Sequence, residues 1–217
     1  MTTAPGSGPL LGRHVRLDRS VPGDGPGLLT ALDDERVWEN GYGGGPAGRA
    51  RVAQDWVNRI RAAEDDSRAM YTVRLVHDGA IVGTSSLGDV DLLNERIHLG
   101  WTAYSPSHWS SVVNPECKLL LLGHAFDECG FGRVKIQTDL INTRSQAAIA
   151  KLGAVREGVL RRHVRRADGS WRDTVVFSVI IDEWPAVKTA VQPRLLVLSV
   201  REGARPPPRT DNSRVGG

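Results

Sequence analysis

The spacing of apolar residues along the chain takes two forms, one typical of strands and the other of helices. Alternating apolar and polar residues predict strands at 13–17, 69–88, 96–104 and 133–138. The segment 69–88 holds two strands, because the turn sequence HDG divides it. Apolar residues spaced three or four positions apart predict helices over 27–39, 52–60, 115–129 and 143–152.

The order of these elements predicts a mixed α/β sheet with helices packed on it. A long hairpin over 158–181 turns at ADGS, and the segment DEWPAVKTAV is expected to be helical. The strand at 96–104, the helix at 115–129 and the strand at 133–138 form a crossover unit, which predicts that the two strands are parallel. The loop SPSHWSSVVN follows the carboxyl end of the first strand, where open α/β sheets bind ligands.

Capping residues mark the ends of two helices in the second half. Asn114 is a good cap and Pro115 suits the first helical position, so we expect that helix to begin at residue 115. Asn142 is the predicted cap of helix 143–152, and Gly153 marks its end. The N–H groups that open the first of these helices, together with its dipole, predict an anion-binding site.

The composition narrows the class of protein. With 217 residues, 40% of them hydrophobic and 24% charged, the chain can bury one sizeable core. We expect a flexible N-terminus at 1–9, one domain at 10–196 and a disordered Pro/Arg-rich tail at 197–217. No apolar run approaches the ~20 residues that span a bilayer, and the start lacks the features of a signal peptide. A cytoplasmic protein without membrane contacts is therefore expected.

Cysteine and charge patterns argue against three further kinds of site. Cys117 and Cys129 lie on one predicted helix, about 18 Å apart along its axis, which is too far for a disulfide. The six histidines are scattered, so no metal is expected. The run RRHVRR at 161–166 alternates, which predicts a solvated strand with its charges on two faces. Because the net charge is only +3, nucleic acid is not an expected partner.

Three stretches of the second half together resemble a known family. They are IHLGWTAYSPSHW, NPECKLLLLGHAFDECGFGRVKIQTDLINTRSQAAIAKLGAVREGVLRRH and DGSWRDTVVFSVIIDEWP. The chain resembles the GCN5-related N-acetyltransferases (GNAT), and within them the branch that acetylates ribosomal-protein amino termini and small amines. The resemblance covers residues 10–195 and is strongest over 97–185.

The resemblance implies where acetyl-CoA, the co-substrate, binds. The two parallel strands should splay apart, with the pantetheine arm along the exposed edge of strand 96–104 and the pyrophosphate on the backbone of the following loop. Asn142 falls where the family contacts the cofactor arm near the sulfur. The other implied contacts are Trp101, Thr102, Ala103, Trp109, Ser110, Ser111, Val112, Val113 and Asn114.

The chemistry of amine acetylation needs a base, an oxyanion donor and a weak acid. His98 stands where related sequences often carry a glutamate proposed as base, and a neutral imidazole can take the proton. The other interpretation is a partly buried strand residue bonded to a neighbour. Ser145 matches the family serine suggested as acid, or else bonds to local backbone. Tyr104 is a further candidate proton donor or a pocket wall.

The acceptor pocket is expected to come from the first half of the chain. Trp38, Tyr42 and Trp56 are candidates for its walls, and core packing is the alternative for each. The acceptor is expected to be the amine of a protein N-terminus or of a small molecule. The sequence leaves a homodimer open.

The loop departs from the family pattern in lacking glycine. The family commonly has glycines where this chain has Ser110 and Val112. Main-chain N–H groups bind phosphate whatever the side chain, but glycine is needed wherever φ is positive, and Val112 resists such a conformation. Either the loop avoids positive φ and still binds, or the pyrophosphate contact is weakened. A catalytically silent relative that binds CoA or an amine is therefore the alternative function.

Overall fold

The computed structural model describes residues 1–65 and 67–203 of the chain. In that part the strands are β1 (Leu10–Leu11), β2 (Val15–Arg19), β3 (Ala69–Leu75), β4 (Ile81–Asp91), β5 (Arg96–Tyr104), β6 (Arg133–Asp139), β7 (Val155–Arg165) and β8 (Trp171–Ile180). The helices are α1 (Gly25–Leu32), α2 (Glu35–Trp38), α3 (Ala53–Asp65), α4 (Val113–Gly123), α5 (Thr143–Leu152) and α6 (Trp184–Gly203). No helix in this part is long and apolar enough to cross a membrane.

The strands form one mixed sheet in the order β1-β2-β3-β4-β5-β6-β8-β7. Strands β5 and β6 are parallel, with Ile97 opposite Val134 and Leu99 opposite Ile136. The recorded pairings on either side of them are antiparallel. The predicted mixed α/β sheet and its parallel crossover through α4 are therefore confirmed.

Each face of the sheet carries its own layer of helices. Because side chains alternate along a strand, β5 sends Ile97 and Leu99 into a core that also contains Leu121 of α4 and Trp184 of α6. Ala103 of the same strand faces the opposite way, into a second core. That second core is built mainly on α1 and α3 and contains Leu28, Leu32, Trp38, Trp56, Ile60 and Met70.

Two predicted helix boundaries are wrong for local reasons. The helix expected over 27–39 is divided into α1 and α2, because Asp34 adopts an extended conformation and its carboxylate accepts the Arg36 N–H at 3.0 Å. Helix α4 begins at Val113 and not at residue 115, so Asn114 lies inside the first turn instead of capping it. Beyond Gly123 the helix widens into a π-turn.

The predicted start of the C-terminal tail at residue 197 is also wrong, since α6 continues to Gly203. Val191 is buried in the main core, and Leu195 packs against it. Ser199 hydrogen-bonds His14 at 2.7 Å, a residue from the other end of the chain. These contacts stabilise α6 over residues whose apolar spacing alone does not predict a helix. The rest of the predicted tail, residues 204–217, lies outside the described residues.

Glu116 connects α4 to the first strands. Its buried carboxylate accepts the main-chain N–H groups of Arg13, His14 and Val15 at 2.8–2.9 Å. Because a buried donor without an acceptor costs about 1–3 kcal/mol, we expect Glu116→Ala to lower the free energy of unfolding by about 3 kcal/mol or more. Urea titration of the purified protein measures this change.

The control for this substitution is Glu64→Ala, since Glu64 is an exposed residue of α3. It should change the free energy of unfolding by less than about 0.5 kcal/mol. A loss below about 1 kcal/mol in Glu116→Ala would mean that water replaces the carboxylate and that Glu116 is not a structural acceptor.

Candidate active site

The parallel pair β5–β6 comes apart halfway along its length. The two strands are paired from Arg96 and Arg133 to Leu99 and Ile136. Beyond this point β5 is paired with β4 alone and β6 with β8 alone. A cleft therefore opens between residues 100–104 and residues 137–139, as expected from the family resemblance.

A β-bulge in β5 lies at the point where the cleft opens. Gly100 pairs with Ser86 and Ala103 with Thr84, so two residues of β5 oppose Ser85 alone. Those two residues are Trp101 and Thr102, and Trp101 has a φ of 49°. A bulge bends a strand and re-aims its side chains, and here it turns Trp101 back over its own strand.

His98 lies beneath Trp101, with ring centroids 4.5 Å apart. The imidazole is only 2% exposed. Its Nδ1 contacts Asp89 Oδ2 at 3.2 Å, and Lys135 holds the same oxygen at 2.9 Å. Its Nε2 is buried and has no hydrogen-bond partner among the described residues. A Cβ on Gly100 would come within 2.5 Å of Nε2, so only glycine fits beside the ring.

The surroundings keep His98 neutral at physiological pH. Burial lowers the pKa of His98 and outweighs the opposing effect of Asp89, while the charge of Lys135 lowers it further. The hydrogen bond with His98, helped by Lys135, holds the pKa of Asp89 well below its usual range. An ionised Asp89 can only accept, so the neutral ring carries its proton on Nδ1 and leaves a lone pair on Nε2. This is the arrangement of a base with an orienting carboxylate.

The loop between β5 and α4 supplies a positive φ without glycine. Ser110 has a φ of 59°, whereas Val112 is helical at −67°. Of the two non-glycine positions, Val112 therefore avoids positive φ and buries its side chain, and only Ser110 adopts it. A serine in the left-handed region is uncommon and carries strain that a glycine would not.

The start of α4 offers main-chain donors to an anion. Ser111 Oγ donates to the His108 carbonyl at 2.6 Å and accepts the Val113 N–H at 3.2 Å. In the described part of the chain, no acceptor is recorded for the N–H groups of Ser110 and Ser111. Two unpaired donors beside a helix N-terminus fit a pyrophosphate chemically.

Trp109 is the loop residue whose ring is attached to the end of β5. Its indole N–H donates to the Tyr104 carbonyl at 2.9 Å. The guanidinium of Arg144, at the start of α5, lies over the ring at 3.3 Å from the centroid, and that of Arg36 lies at 5.8 Å. The loop is thus bordered by two cations, which favours an anionic ligand there.

Asn142 and Ser145 lie at the start of α5, which follows β6. The Asn142 side chain caps α5 by accepting the Ser145 N–H at 2.9 Å and also donates to the Asn40 carbonyl at 3.0 Å. The predicted cap is confirmed, and Gly153 ends the helix with a φ of 97°. Ser145 is half-buried, and its hydroxyl has no recorded partner within the described residues. That hydroxyl is therefore free to donate to a ligand.

The three aromatic residues predicted to line the acceptor pocket pack against one another, with centroid separations of 5.2–6.5 Å. Trp38 and Trp56 are each 1% exposed and belong to the second core, which fits the core-packing alternative for both. Tyr42 is half-buried and packs against this core. Arg59 lies over both tryptophan rings at 5.0 and 5.1 Å.

Tyr104 lies on the other face of the sheet from these aromatic residues. It is buried in the core on the α4 side, and its hydroxyl has no hydrogen-bond partner in the described residues. Burial raises the pKa of its phenol well above the usual value. Thr102 is half-buried beside α4, and Ala103, Val112 and Val113 are buried. Of Ala103, Val112 and Val113, only main-chain atoms remain for a cofactor to contact.

Two residues of the site were missed by sequence reasoning. Asp89 lies where the β4–β5 pairing shifts register and has a φ of 49°. Lys135 is directly opposite His98 on β6. The signal for Lys135 was available, because it holds a polar position of the alternating strand RVKIQTD and the parallel register brings it opposite His98. No local pattern places Asp89 next to His98.

Within the described residues, no three or more His, Cys, Asp and Glu side chains are grouped so that they could hold a metal ion. Cys117 and Cys129 are both free and buried. Residues 161–165 of the run are exposed on β7, as predicted, but Arg162 and Arg165 both lie over Trp171 at 4.7 Å. The prediction that these charges divide between two faces is wrong for this pair, since Arg162 has a φ of 51° at an irregularity in the strand.

Comparison with curated proteins finds a relative that is similar over about half of this chain. The protein named "Putative ribosomal N-acetyltransferase YdaF", from Bacillus subtilis (strain 168), is 27% identical over 114 residues. These residues make up 52% of this chain and 61% of that protein. The chain therefore matches less than two thirds of the length of this relative.

Solved structures share the fold over most of the chain. A structure described as a "putative acetyltransferase" from T. thermophilus is 34% identical, with a TM-score of 0.77, and the match covers 86% of this chain and 96% of that one. Mycobacterium smegmatis RimJ, solved in complex with CoA-disulfide, is 21% identical, with a TM-score of 0.71 and coverage of 89% and 94%. At that identity the likeness to RimJ shows the fold alone.

A family profile matches the segment that builds the site. The profile described as an acetyltransferase (GNAT) domain covers residues 14–155, from the first strands through the cleft, the loop and α5. This is more than half of the chain, and it confirms the resemblance that the motifs indicate. The chain belongs to the GNAT acetyltransferase family.

Proposed function

We propose that this protein transfers an acetyl group from acetyl-CoA to a primary amine by direct attack in a ternary complex. The observation that carries the proposal is the buried, unpartnered Nε2 of His98 at the point where β5 and β6 separate. A lone pair held there by Asp89 is suited to accept a proton from an amine that enters the cleft.

The residues of the cleft fit acetyl-CoA. We propose that the N–H groups of Ser110 and Ser111 hold its pyrophosphate, next to the guanidinium of Arg144. The unpaired edge of β5 at residues 100–104 suits the pantetheine arm, whose amides can pair with main-chain groups. RimJ, which shares this fold, was solved with a CoA derivative. When bound, acetyl-CoA supplies an acetyl thioester.

The protein then has three tasks. His98 Nε2 accepts the proton of the amine, directly or through water, while Asp89 stabilises the imidazolium that forms. Main-chain N–H groups of β5 beyond Leu99 stabilise negative charge that develops on the carbonyl oxygen. We assign to the Ser145 hydroxyl the donation of a proton to the leaving thiolate. Holding both substrates together supplies much of the remaining rate.

The lowered pKa of His98 favours an α-amino group as acceptor. Proton transfer to a base with a lowered pKa is less unfavourable from an amine of pKa ~8 than from a lysine of pKa ~10.4. YdaF is named as a ribosomal N-acetyltransferase, which agrees with a protein N-terminus as the acceptor. We therefore propose that free amino termini of proteins or peptides are acetylated, with Tyr42 at the wall of the acceptor pocket.

We expect acetyl-CoA to bind in isothermal titration calorimetry and a peptide with a free N-terminus to release CoA thiol. The matched control is the same peptide with a blocked N-terminus and one internal lysine, which should react at least about 10-fold more slowly because its amine is the stronger base. No binding at millimolar acetyl-CoA would refute the proposed reaction. Binding without thiol release from a broad panel of amines would identify a silent relative instead.

A further inference from the structure

A buried lysine lies behind the bulge of β5, on the side of the sheet opposite His98. Lys118, in the second turn of α4, is 8% exposed. Its ammonium donates to Thr102 Oγ1 at 2.7 Å and to Ser85 Oγ at 3.5 Å. Both partners are neutral hydroxyls, and no carboxylate forms an ion pair with Lys118 in the part of the chain that the structure describes.

This placement is unfavourable for a cation. Burial lowers the pKa of Lys118 from its ordinary value of 10.5 to about 8. The positive end of the α4 dipole lies one turn away and opposes a positive charge further. A methionine of similar shape would avoid both costs. A residue that lowers stability at a buried position indicates a role other than stability.

The two hydroxyls link the ammonium to the main chain of the bulge. Thr102 Oγ1 lies 2.7 Å from Ser85 Oγ and 3.3 Å from the Gly100 carbonyl oxygen. One consistent set of donors satisfies all of these contacts: Thr102 donates to Gly100 and accepts from both Ser85 and Lys118. The chain of hydrogen bonds thus joins α4, β4 and β5 across the two residues that oppose Ser85.

We propose that Lys118 is a positioning residue of the acetyl-transfer site. Through Thr102, Lys118 fixes the bulge, and the bulge turns Trp101 onto His98 and leads β5 away from β6. This inference rests on the proposed function, because it assigns Lys118 to the geometry of that reaction. Lys118 touches neither His98 nor the open cleft. It acts on the strand that carries both Trp101 and the unpaired edge.

The charge of Lys118 also reaches the base. It contributes to lowering the pKa of His98, after burial and Lys135. The titratable groups near Lys118 are Cys117 on its own helix and, across the sheet, His98 of β5; Tyr104 of β5 lies beside Cys117. Strand β4 contributes only the hydroxyl of Ser85. Removing the ammonium should therefore raise the pKa of His98 and move the acidic limb of the rate profile to higher pH.

The test compares Lys118→Met, Thr102→Val and the double variant, with Lys151→Met as the control at an exposed lysine. We expect kcat to fall about 10-fold in each single variant and by the same factor in the double variant, because both substitutions break one contact. Lys118→Met should also move the acidic limb to higher pH, which a merely structural role would not do. A kcat within twofold of wild type in Lys118→Met, or effects that multiply to about 100-fold, would overturn the proposal.

Two measurements on the protein without substrate separate this inference from the proposed function. Between pH 8 and 10.5 the unfolded chain binds the Lys118 proton and the folded chain does not. The contribution of Lys118 to the free energy of unfolding therefore rises with pH over this range, and Lys118→Met should lack that rise. Amide exchange at residues 100–104 should be faster in Lys118→Met. If wild type transfers no acetyl group but exchange still accelerates, only the proposed function fails. Unchanged exchange overturns the role of Lys118 even where kcat falls.

Discussion

His98→Ala is expected to lower kcat for amine acetylation by about 100-fold or more, because general base catalysis contributes about 10²–10⁴. The variant removes the lone pair on Nε2, which lies unpartnered at the opening of the cleft. Acetyl-CoA affinity should change by less than about threefold, since the cofactor contacts lie on the main chain and the loop. Steady-state kinetics and calorimetry measure the two effects separately.

The pH dependence provides a second readout of the same residue. His98 acts in its neutral form, and its pKa is lowered, so wild-type kcat should hold down to pH values below the ordinary ~6.5 of histidine and fall only there. At saturating substrates, kcat reports groups in the ternary complex and not the free amine. His98→Ala should lack this acidic limb. An unchanged profile would exclude His98 as the base.

Asp89→Asn is the matched control for the orientation of the ring. The amide keeps the size of the carboxylate but removes the charge that raises the pKa of His98. The acidic limb should therefore move to lower pH, while kcat falls by about 10-fold through loss of the favoured tautomer and of imidazolium stabilisation. A fall as large as that of His98→Ala, without movement of the limb, would indicate misfolding of the bulge instead.

The fold was largely predictable because its signals are local. Strand β5 and helix α5 have the predicted bounds, since alternation, the Asn142 cap and Gly153 act within a few residues. Helix α6 extended past its prediction because Ser199 and His14 meet only in the folded chain. Local periodicity carries no information about such a contact.

The site was predictable only in part, because its chemistry depends on irregular backbone. The family resemblance identified His98, but its orienting carboxylate arrives through a register shift in β4 that no alternation pattern shows. Burial of Lys118 was hidden because lysine is almost always exposed. Tyr104 has the chemistry of a proton donor, yet alternation along β5 places it in the core.

The loop between β5 and α4 was also predictable only in part, and its irregular backbone leads to the second prediction with a large expected effect. Sequence reasoning located two non-glycine positions but could not decide which one takes a positive φ. Ser110 does, and asparagine and aspartate tolerate this conformation better than other non-glycine residues. The position therefore accepts a substitution that changes charge with little cost in backbone strain.

Ser110→Asp is expected to weaken acetyl-CoA binding by about 100-fold. The new carboxylate would occupy the anion site at the start of α4 and repel the two charges of a pyrophosphate. An acidic residue at a helix N-terminus is favourable by about 0.3–1 kcal/mol, so the free energy of unfolding should hold or rise. Binding and stability should thus move in opposite directions, which a simple folding defect cannot produce.

Ser110→Asn is the isosteric control, because asparagine has the shape of aspartate and tolerates positive φ as aspartate does, but it carries no charge. Its acetyl-CoA affinity, measured by calorimetry at low salt, should stay within about threefold of wild type. The gap between the two variants should narrow as salt screens the exposed charge. Equal affinities for Ser110→Asp and Ser110→Asn would show that the pyrophosphate binds elsewhere, because a carboxylate cannot share two main-chain donors with a second anion at no cost.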